Sequence, residues 1–320
     1  MTGMRMLVAF SLALAQAAPA HAQAWPARAV RVIATNPPGG SVDRLARTLS
    51  EELARATGLP FVVENRSGAN GDIGAEQLMA APADGHALLV SPSGPFVINM
   101  HLRRQSFDPG RDLQPVTLLG VPPLVLVAHP SVPARSLAEL LDWARSRGAL
   151  NYASQGMASS GHLAMELLRS RAGFDALHVP YKGAAGASAD VVAGHVPMMF
   201  DNTGSALPQV AAGRLRAIAV AEGARLASAP DIPTVAEQGF PGFEATPWIG
   251  LSARAGLPAA VVQRLASEWS RAAARPELRE RYSRIGVELR SVSGEALAGF
   301  IATDRARWGA IIRSAGVTNE

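Results

Sequence analysis

The sequence predicts an α/β protein built as two lobes with a ligand cleft between them. Three observations predict it. Short apolar runs alternate with amphipathic stretches along most of the chain, the pattern of βαβ units that build a mostly parallel sheet with helices on its faces. The 320 residues are too many for one small core, and a prior of about 150 residues per domain suggests two. Two passages read as crossings between lobes: 114–127, a pair of apolar strand-like runs around Pro122-Pro123, and 243–253, around Thr246-Pro247-Trp248. A chain that crosses out and back on two strands makes a hinge, with a cleft between the bodies it joins.

The order of elements begins with an export signal. Arg5 gives a short positive start, residues 6–18 are apolar except for Ser11 and Gln16, Pro19 ends the run, and Ala20-His21-Ala22 supplies the small residues read at a cleavage site. This three-part layout predicts a cleavable signal peptide over 1–22 and a periplasmic destination. The apolar run is short of the roughly 20 residues that span a bilayer. A lipoprotein anchor is excluded because the chain has no cysteine. The first lobe is expected over 23–124 plus 246–320, the second over 125–245.

Within the first lobe, residues 30–35 read as a strand and 41–56 as a helix, with Val42, Leu45, Leu49 and Leu53 on one stripe. A strand over 61–64, a helix over 71–80 and a strand over 87–91 follow. In the second lobe 124–128 reads as a strand. Ser136-Leu137-Ala138-Glu139 is a capping box opening a helix to about residue 146. Strands follow at 151–154, 176–181, 196–200 and 215–221, and helices at 160–171 and 184–193. Long helices over 258–274 and 294–313 end the chain.

Composition excludes several function classes. Without cysteine there is no thiol catalysis and no cysteine metal site. The net charge of +4 is interspersed rather than blocked, and aromatic residues make up only 5%. A nucleic-acid surface needs a basic stripe with stacking rings, so no nucleic-acid partner is expected. Nearly all the basic residues are arginines; Lys182 is the single lysine.

The chemistry gathers where strands end and helices begin. Asn36-Pro37-Pro38-Gly39-Gly40-Ser41-Val42-Asp43 joins the first strand to the first helix. Glycines let amide groups face a ligand, Ser41 is a natural N-cap, and Asp43 suits the first turn. A helix start of this kind is a ready anion site. The loop 65–74 is a second backbone-lined wall, with Asn70 and Gly71 toward the cleft. Its glycine spacing does not fit the dinucleotide fingerprint. Arg66 there reads first as the partner of a nearby acid. In the second lobe Ser154, Ser159 and Ser160 sit at a helix start, as do Tyr181, Lys182 and Gly183. His162 reads as structural. Asp201, at a strand end, can accept from an amine or a water, or cap the next helix. Ser93, in Ser91-Pro92-Ser93-Gly94, reads as part of a turn and is counted with the cleft lining.

These motifs, in order, resemble the Bug family of substrate-binding proteins of tripartite tricarboxylate transporters. The resemblance rests on Pro37-Pro38-Gly39-Gly40 with Asp43, on Val63-Glu64-Asn65-Arg66, on Asn151-Tyr152-Ala153-Ser154, on His178-Val179-Pro180-Tyr181-Lys182-Gly183 and on Phe200-Asp201. Pro233-Thr234-Val235, with Glu237 and Gly239, and Trp248 with Gly250-Leu251 add to it. It covers essentially the whole chain after the leader. The resemblance implies a type 2 periplasmic-binding-protein fold closing on a small organic carboxylate. The acid is held by backbone amides and hydroxyls, often through ordered waters, without an arginine clamp. It also implies delivery to membrane permease subunits. A monomer with no cofactor, no metal and no catalytic residue is expected. Asn36, Asn70 and Met157 depart from the residues common in the family, so the ligand does not carry over from any relative.

Two other functions stand beside capture for transport. A binding protein that reports to a sensor uses the same closed form. An exported hydrolase needs a Gly-x-Ser-x-Gly elbow or a His-Glu-x-x-His site, and neither is in the sequence.

Overall fold

A computed structural model describes residues 25–318; the signal-peptide reading over 1–22 lies outside them. Strand β1 (Val30–Ala34) leads into helix α1 (Ser41–Thr57), and β2 (Phe61–Asn65) into α2 (Asp72–Met79) through a 3-10 turn at Ala69–Gly71. Strand β3 (Ala87–Pro92) runs into a π-helical turn at Gly94–Ile98, and β4 (Leu113–Val121) crosses to the second lobe. There β5 (Leu124–Ala128), α3 (Leu137–Arg147), β6 (Leu150–Ser154), α4 (Ser160–Ala172), β7 (Ala176–Pro180), α5 (Ala184–Val192), β8 (Met198–Asn202), α6 (Thr203–Ala211) and β9 (Arg216–Val220) follow. Strand β10 (Ile249–Arg254) returns to the first sheet, and α7 (Ala259–Ala274), α8 (Pro276–Ser283), β11 (Glu288–Leu289) and α9 (Gly294–Ala315) complete the fold.

The strands form two sheets, of order β11-β4-β10-β3-β1-β2 and β7-β6-β8-β5-β9. The expected mostly parallel sheet is corrected to a mixed one. Strand β1 pairs in parallel with β2 and β3, and β6 with β7 and β8. Strand β10 is antiparallel to β3 and β4, β11 to β4, and β5 to β8 and β9. The crossings are the reason. A strand arriving from the other lobe enters its sheet at the edge where the neighbouring strands leave, so it must run against them.

Burial explains the elements. In β1 the sequence VRVIA is buried at four of its five positions, as expected of a strand covered by helices on both faces. The stripe Val42, Leu45, Leu49 and Leu53 of α1 is buried against it. At the start of α3, Ser136 Oγ accepts from the Glu139 amide at 3.2 Å. The Glu139 carboxylate reaches past Ser136 to the Arg135 amide at 2.6 Å, so only half of the predicted capping box forms. Pro276 opens α8, which the sequence reading did not place; Pro suits the first helical position because its missing N–H has no partner there anyway.

The return crossing is bolted to α9. Trp248 is buried against Phe96 and Phe300, and its Nε1 donates to Asp304 Oδ2 at 2.7 Å. Arg307 pairs with the same carboxylate and donates to Thr246 O at 2.8 Å. Helix α9 also lies along α4, where Ser170 Oγ donates to Ser314 O at 2.9 Å. No helix among the described residues is long and apolar enough to cross a membrane.

Candidate functional site

Both sheets turn the carboxyl ends of their parallel strands toward the crossings. Ligands of open α/β sheets bind at that edge. In the first lobe it carries residues 36–41 after β1, 65–71 after β2 and Ser93 after β3. In the second it carries 154–160 after β6, 181–183 after β7 and 201–205 after β8. The two sets of loops meet. Asn70 Nδ2 donates to Ala158 O at 2.9 Å. A Cβ placed on Gly183 would lie 3.2 Å from Pro37 Cγ, and one on Gly204 3.6 Å from Ser41 Oγ.

Helices α1, α5 and α6 start in this cleft without a side-chain cap, as does α2 behind Gly71. Helix α1 is capped by Gly40, α5 by Gly183 and α6 by Asn202, and none of the three caps makes a side-chain hydrogen bond. Ser41 is therefore the first helical residue rather than the N-cap, a correction to the sequence reading. Gly40, with its backbone extended, takes the cap position. First-turn amides have no intrahelical partner, so these three ends offer N–H groups and positive dipole ends from both lobes. Helix α4 differs: Ser159 Oγ accepts from the His162 amide at 3.3 Å and caps it.

Several predicted residues are engaged within the protein. Ser159 Oγ donates to Gly156 O at 2.7 Å. Ser154 is fully buried, accepts from the Gly156 amide at 3.1 Å and lies 2.6 Å from His178 Nε2. The Gly183 amide donates to Gln155 O at 3.0 Å and the Gly39 amide to Asp43 Oδ2 at 2.9 Å. Gly71 donates its amide to Gly68 O. Tyr181 donates its hydroxyl to Asp190 at 2.5 Å; burial and that carboxylate push its pKa up to about 12. Asn36 is half-buried; its side-chain Oδ1 accepts from Thr35 Oγ1, and its backbone carbonyl accepts from Asn65 Nδ2 at 2.9 Å. Pro38 and Lys182 are exposed at the cleft mouth, and Ser160 is half-buried at the first position of α4. Arg66 pairs with Glu64 at 3.5 Å.

Two buried atoms of the predicted site residues lack a hydrogen-bond partner. Ser93 Oγ and Asp201 Oδ2 have no partner among the described residues. Asp201 Oδ1 accepts from the Asn202 amide at 2.7 Å and from Gln155 Nε2 at 3.3 Å. Burial pushes the Asp201 carboxyl up to about 6, against the pull of Ser205, the Asn202 amide, Gln155 and Ser188. Gln155 was missed by sequence reasoning. Its amide also donates to Phe200 O at 3.0 Å, so one side chain and its backbone tie together the loops after β6, β7 and β8. Its only signal was its place between Ser154 and Gly156.

Residues 45–317 match the family described as tripartite tricarboxylate transporter family receptor. The chain belongs to that family. Among relatives of this receptor, protein BugT of Bordetella pertussis is 34% identical over 303 residues, 94% of this chain and 93% of BugT. Rpa4515 of Rhodopseudomonas palustris, solved with adipate, superposes with a TM-score of 0.88 at 31% identity, covering 92% of this chain and 100% of its own. MatC from the same organism, solved with bound malate, gives 0.84 at 31% identity, covering 90% and 100%. The receptor thus has the two-lobed periplasmic-binding-protein fold of these Bug-type proteins.

The charge around the receptor's cleft follows from its pairs. Burial alone would raise the Asp43 pKa, but Arg47, the Gly39 amide and Asn65 outweigh it and hold the carboxyl below its usual range. Asp43 is thus a fixed anion that orders the β1–α1 loop through its bonds to Gly39 and Asn65. Among the described residues no cluster of three His, Asp or Glu side chains is placed to hold a metal ion.

Proposed function

We propose that this receptor captures a small organic carboxylate in the cleft and delivers it to the membrane permease subunits of a tripartite transporter. The observation that carries the reading is the meeting of three uncapped helix N-termini, α1, α5 and α6, at one cleft between two lobes. Each such end favours an anion by about 0.3–1 kcal/mol. Hydrogen bonds to a charged group add about 1.5–3 kcal/mol each. A few of these reach the roughly −8 kcal/mol of a micromolar binder when the cleft is preformed. Lys182 at the mouth adds an attractive charge. The solved relatives hold adipate and malate, acids of the charge this arrangement suits.

In this reading the protein is exported, loses residues 1–22, and works as a monomer whose lobes, 23–124 plus 246–320 and 125–245, close on the acid. In this reading it binds its ligand without transforming it, as membership of a transporter receptor family supports. Calorimetry on ligand-free protein, with adipate, malate and a neutral sugar as probes, tests the proposal. Saturable binding of at least one acid and none of the sugar is expected. Binding of the sugar alone overturns it.

A further inference from the structure

Three non-glycine residues among those described hold left-handed backbone: Ala69 at φ 47°, Asn70 at φ 46° and Ala158 at φ 61°. They come from opposite lobes and meet at one hydrogen bond, Asn70 Nδ2 to Ala158 O at 2.9 Å. Such conformations are costly for residues with a side chain. They persist only where the surroundings over-determine them, and they cluster at clamps and switches.

The surroundings here do over-determine Asn70. Its Nδ2 also donates to Asn99 Oδ1 at 2.9 Å, which uses both amide hydrogens. Asn99 is buried and donates to Asp72 Oδ1 at 2.7 Å. Arg103 pairs with Asp72 and donates to Ala69 O at 2.6 Å. Gly94 packs so closely that a Cβ there would fall inside contact distance of the Asn70 carbonyl and amide. On the far side, the Ala158 amide donates to His162 Nδ1 at 3.2 Å, within the fixed start of α4. The Asn70 amide is therefore a rigid arm of the first lobe, aimed at a fixed carbonyl of the second.

Other side-chain bonds join the lobes away from the Asn70–Ala158 contact. Thr203 Oγ1 to Gly286 O sits beside the crossing at Pro123, whose carbonyl takes the Thr203 amide. Ser170 Oγ to Ser314 O joins α4 to α9. Asn70 to Ala158 is the bond that joins the 65–71 loop of the first lobe to the 154–160 loop of the second.

We infer that Asn70 is the closure latch of this receptor. It sets the balance between closed and open lobes, and through it the residence time of the ligand, rather than donating to the ligand itself. The inference rests on the two-lobe capture reading. The latch holds by enthalpy of one bond that is broken on opening and by the prepaid order of the two braced loops. Loss of one such bond shifts a two-state balance by about tenfold.

The chain has no native cysteine, so two introduced ones report the lobe separation cleanly. Val62 on β2 and Leu177 on β7 are exposed on the edge strands of the two sheets. Val62→Cys and Leu177→Cys carry spin labels, and the distance is measured without ligand in the parent, in Asn70→Asp and in Asn70→Gly. Asp keeps the shape and removes the donors; Gly keeps the left-handed backbone and removes the amide. Circular dichroism and melting confirm that both variants fold. Both are expected to shift toward a longer distance and to release a bound acid, adipate or malate as probe, about tenfold faster. Parent-like distances in both overturn the latch. A shift in Asp alone also overturns it, because repulsion from an introduced charge then explains the change. The ligand-free distance is read whether or not either acid binds, so failure of the latch and failure of carboxylate capture are separable.

Discussion

The imidazole rings of His162 and His178 stack with their centroids 4.0 Å apart, and His178 Nε2 lies 2.6 Å from the buried Ser154 Oγ under the cleft. Burial pushes both pKa values down to about 4; for His178 the charge of His162 adds to the effect. A base with a depressed folded pKa binds fewer protons folded than unfolded. Stability is then full above about 6.5 and is lost as pH falls through the window toward 4. For His162 alone the loss is on the order of 3 kcal/mol. Urea melts at pH 7, 5.5 and 4.5 should show falling stability, with a flatter profile in His162→Gln.

Asp201 works in the opposite direction. Its folded pKa, about 6, lies above the ordinary 3.8, so the folded state holds a proton that the unfolded state has released. Its cost is absent below about 4, grows through that window and is complete above about 6. At neutral pH the cost is on the order of 3 kcal/mol. Asp201→Asn should therefore melt higher than the parent at pH 7.5 and equally at pH 4. An unchanged difference at both pH values would mean that the carboxyl is not the source of the strain.

The motif order made the cleft legible while its hydrogen bonds were not. Helix α1 could be read because its stripe of Val42, Leu45, Leu49 and Leu53 is periodic and faces one sheet. The loops 36–41 and 181–183 could be placed because strand ends followed by glycines are local signals. Ser41 was misread as a cap because propensity favours serine there, whereas the extended backbone at Gly40 decides it. The mixed sheets were invisible because strand direction depends on where the chain re-enters, a property of two distant crossings. Asn70 and Ala158 are 88 residues apart, and nothing local in either segment marks the bond.

Asp304 should be the costliest polar residue in the hinge region. It is buried, accepts from Trp248 Nε1 and pairs with Arg307, which also holds Thr246 O. Asp304→Ala leaves an indole N–H and a guanidinium without their acceptor. Breaking one side of such a pair costs about 3–5 kcal/mol. Denaturant melts should show this loss, and Trp248 fluorescence should shift as its environment loosens. A loss below about 1 kcal/mol would mean that water replaces the carboxylate and that α9 is not fastened there.

Ser159 and Lys182 are both expected ligand donors, and their surroundings differ. Ser159 Oγ accepts from the His162 amide and donates to Gly156 O, so its hydrogen is already placed. Ser159→Ala removes a cap, which costs about 1 kcal/mol of stability, and should leave carboxylate affinity nearly unchanged. Lys182 is exposed at the mouth, where a charge acts through solvent and salt. Lys182→Gln should leave melting unchanged and weaken acid binding several-fold in dilute buffer, an effect that shrinks as salt shortens the screening length to about 8 Å at 0.15 M. Calorimetry at two salt concentrations on both variants reads the two roles apart. If Ser159→Ala weakens binding while melting normally, its hydroxyl leaves Gly156 for the ligand when the acid arrives. If Lys182→Gln weakens binding equally at both salts, the ammonium touches the acid directly rather than attracting it from the mouth.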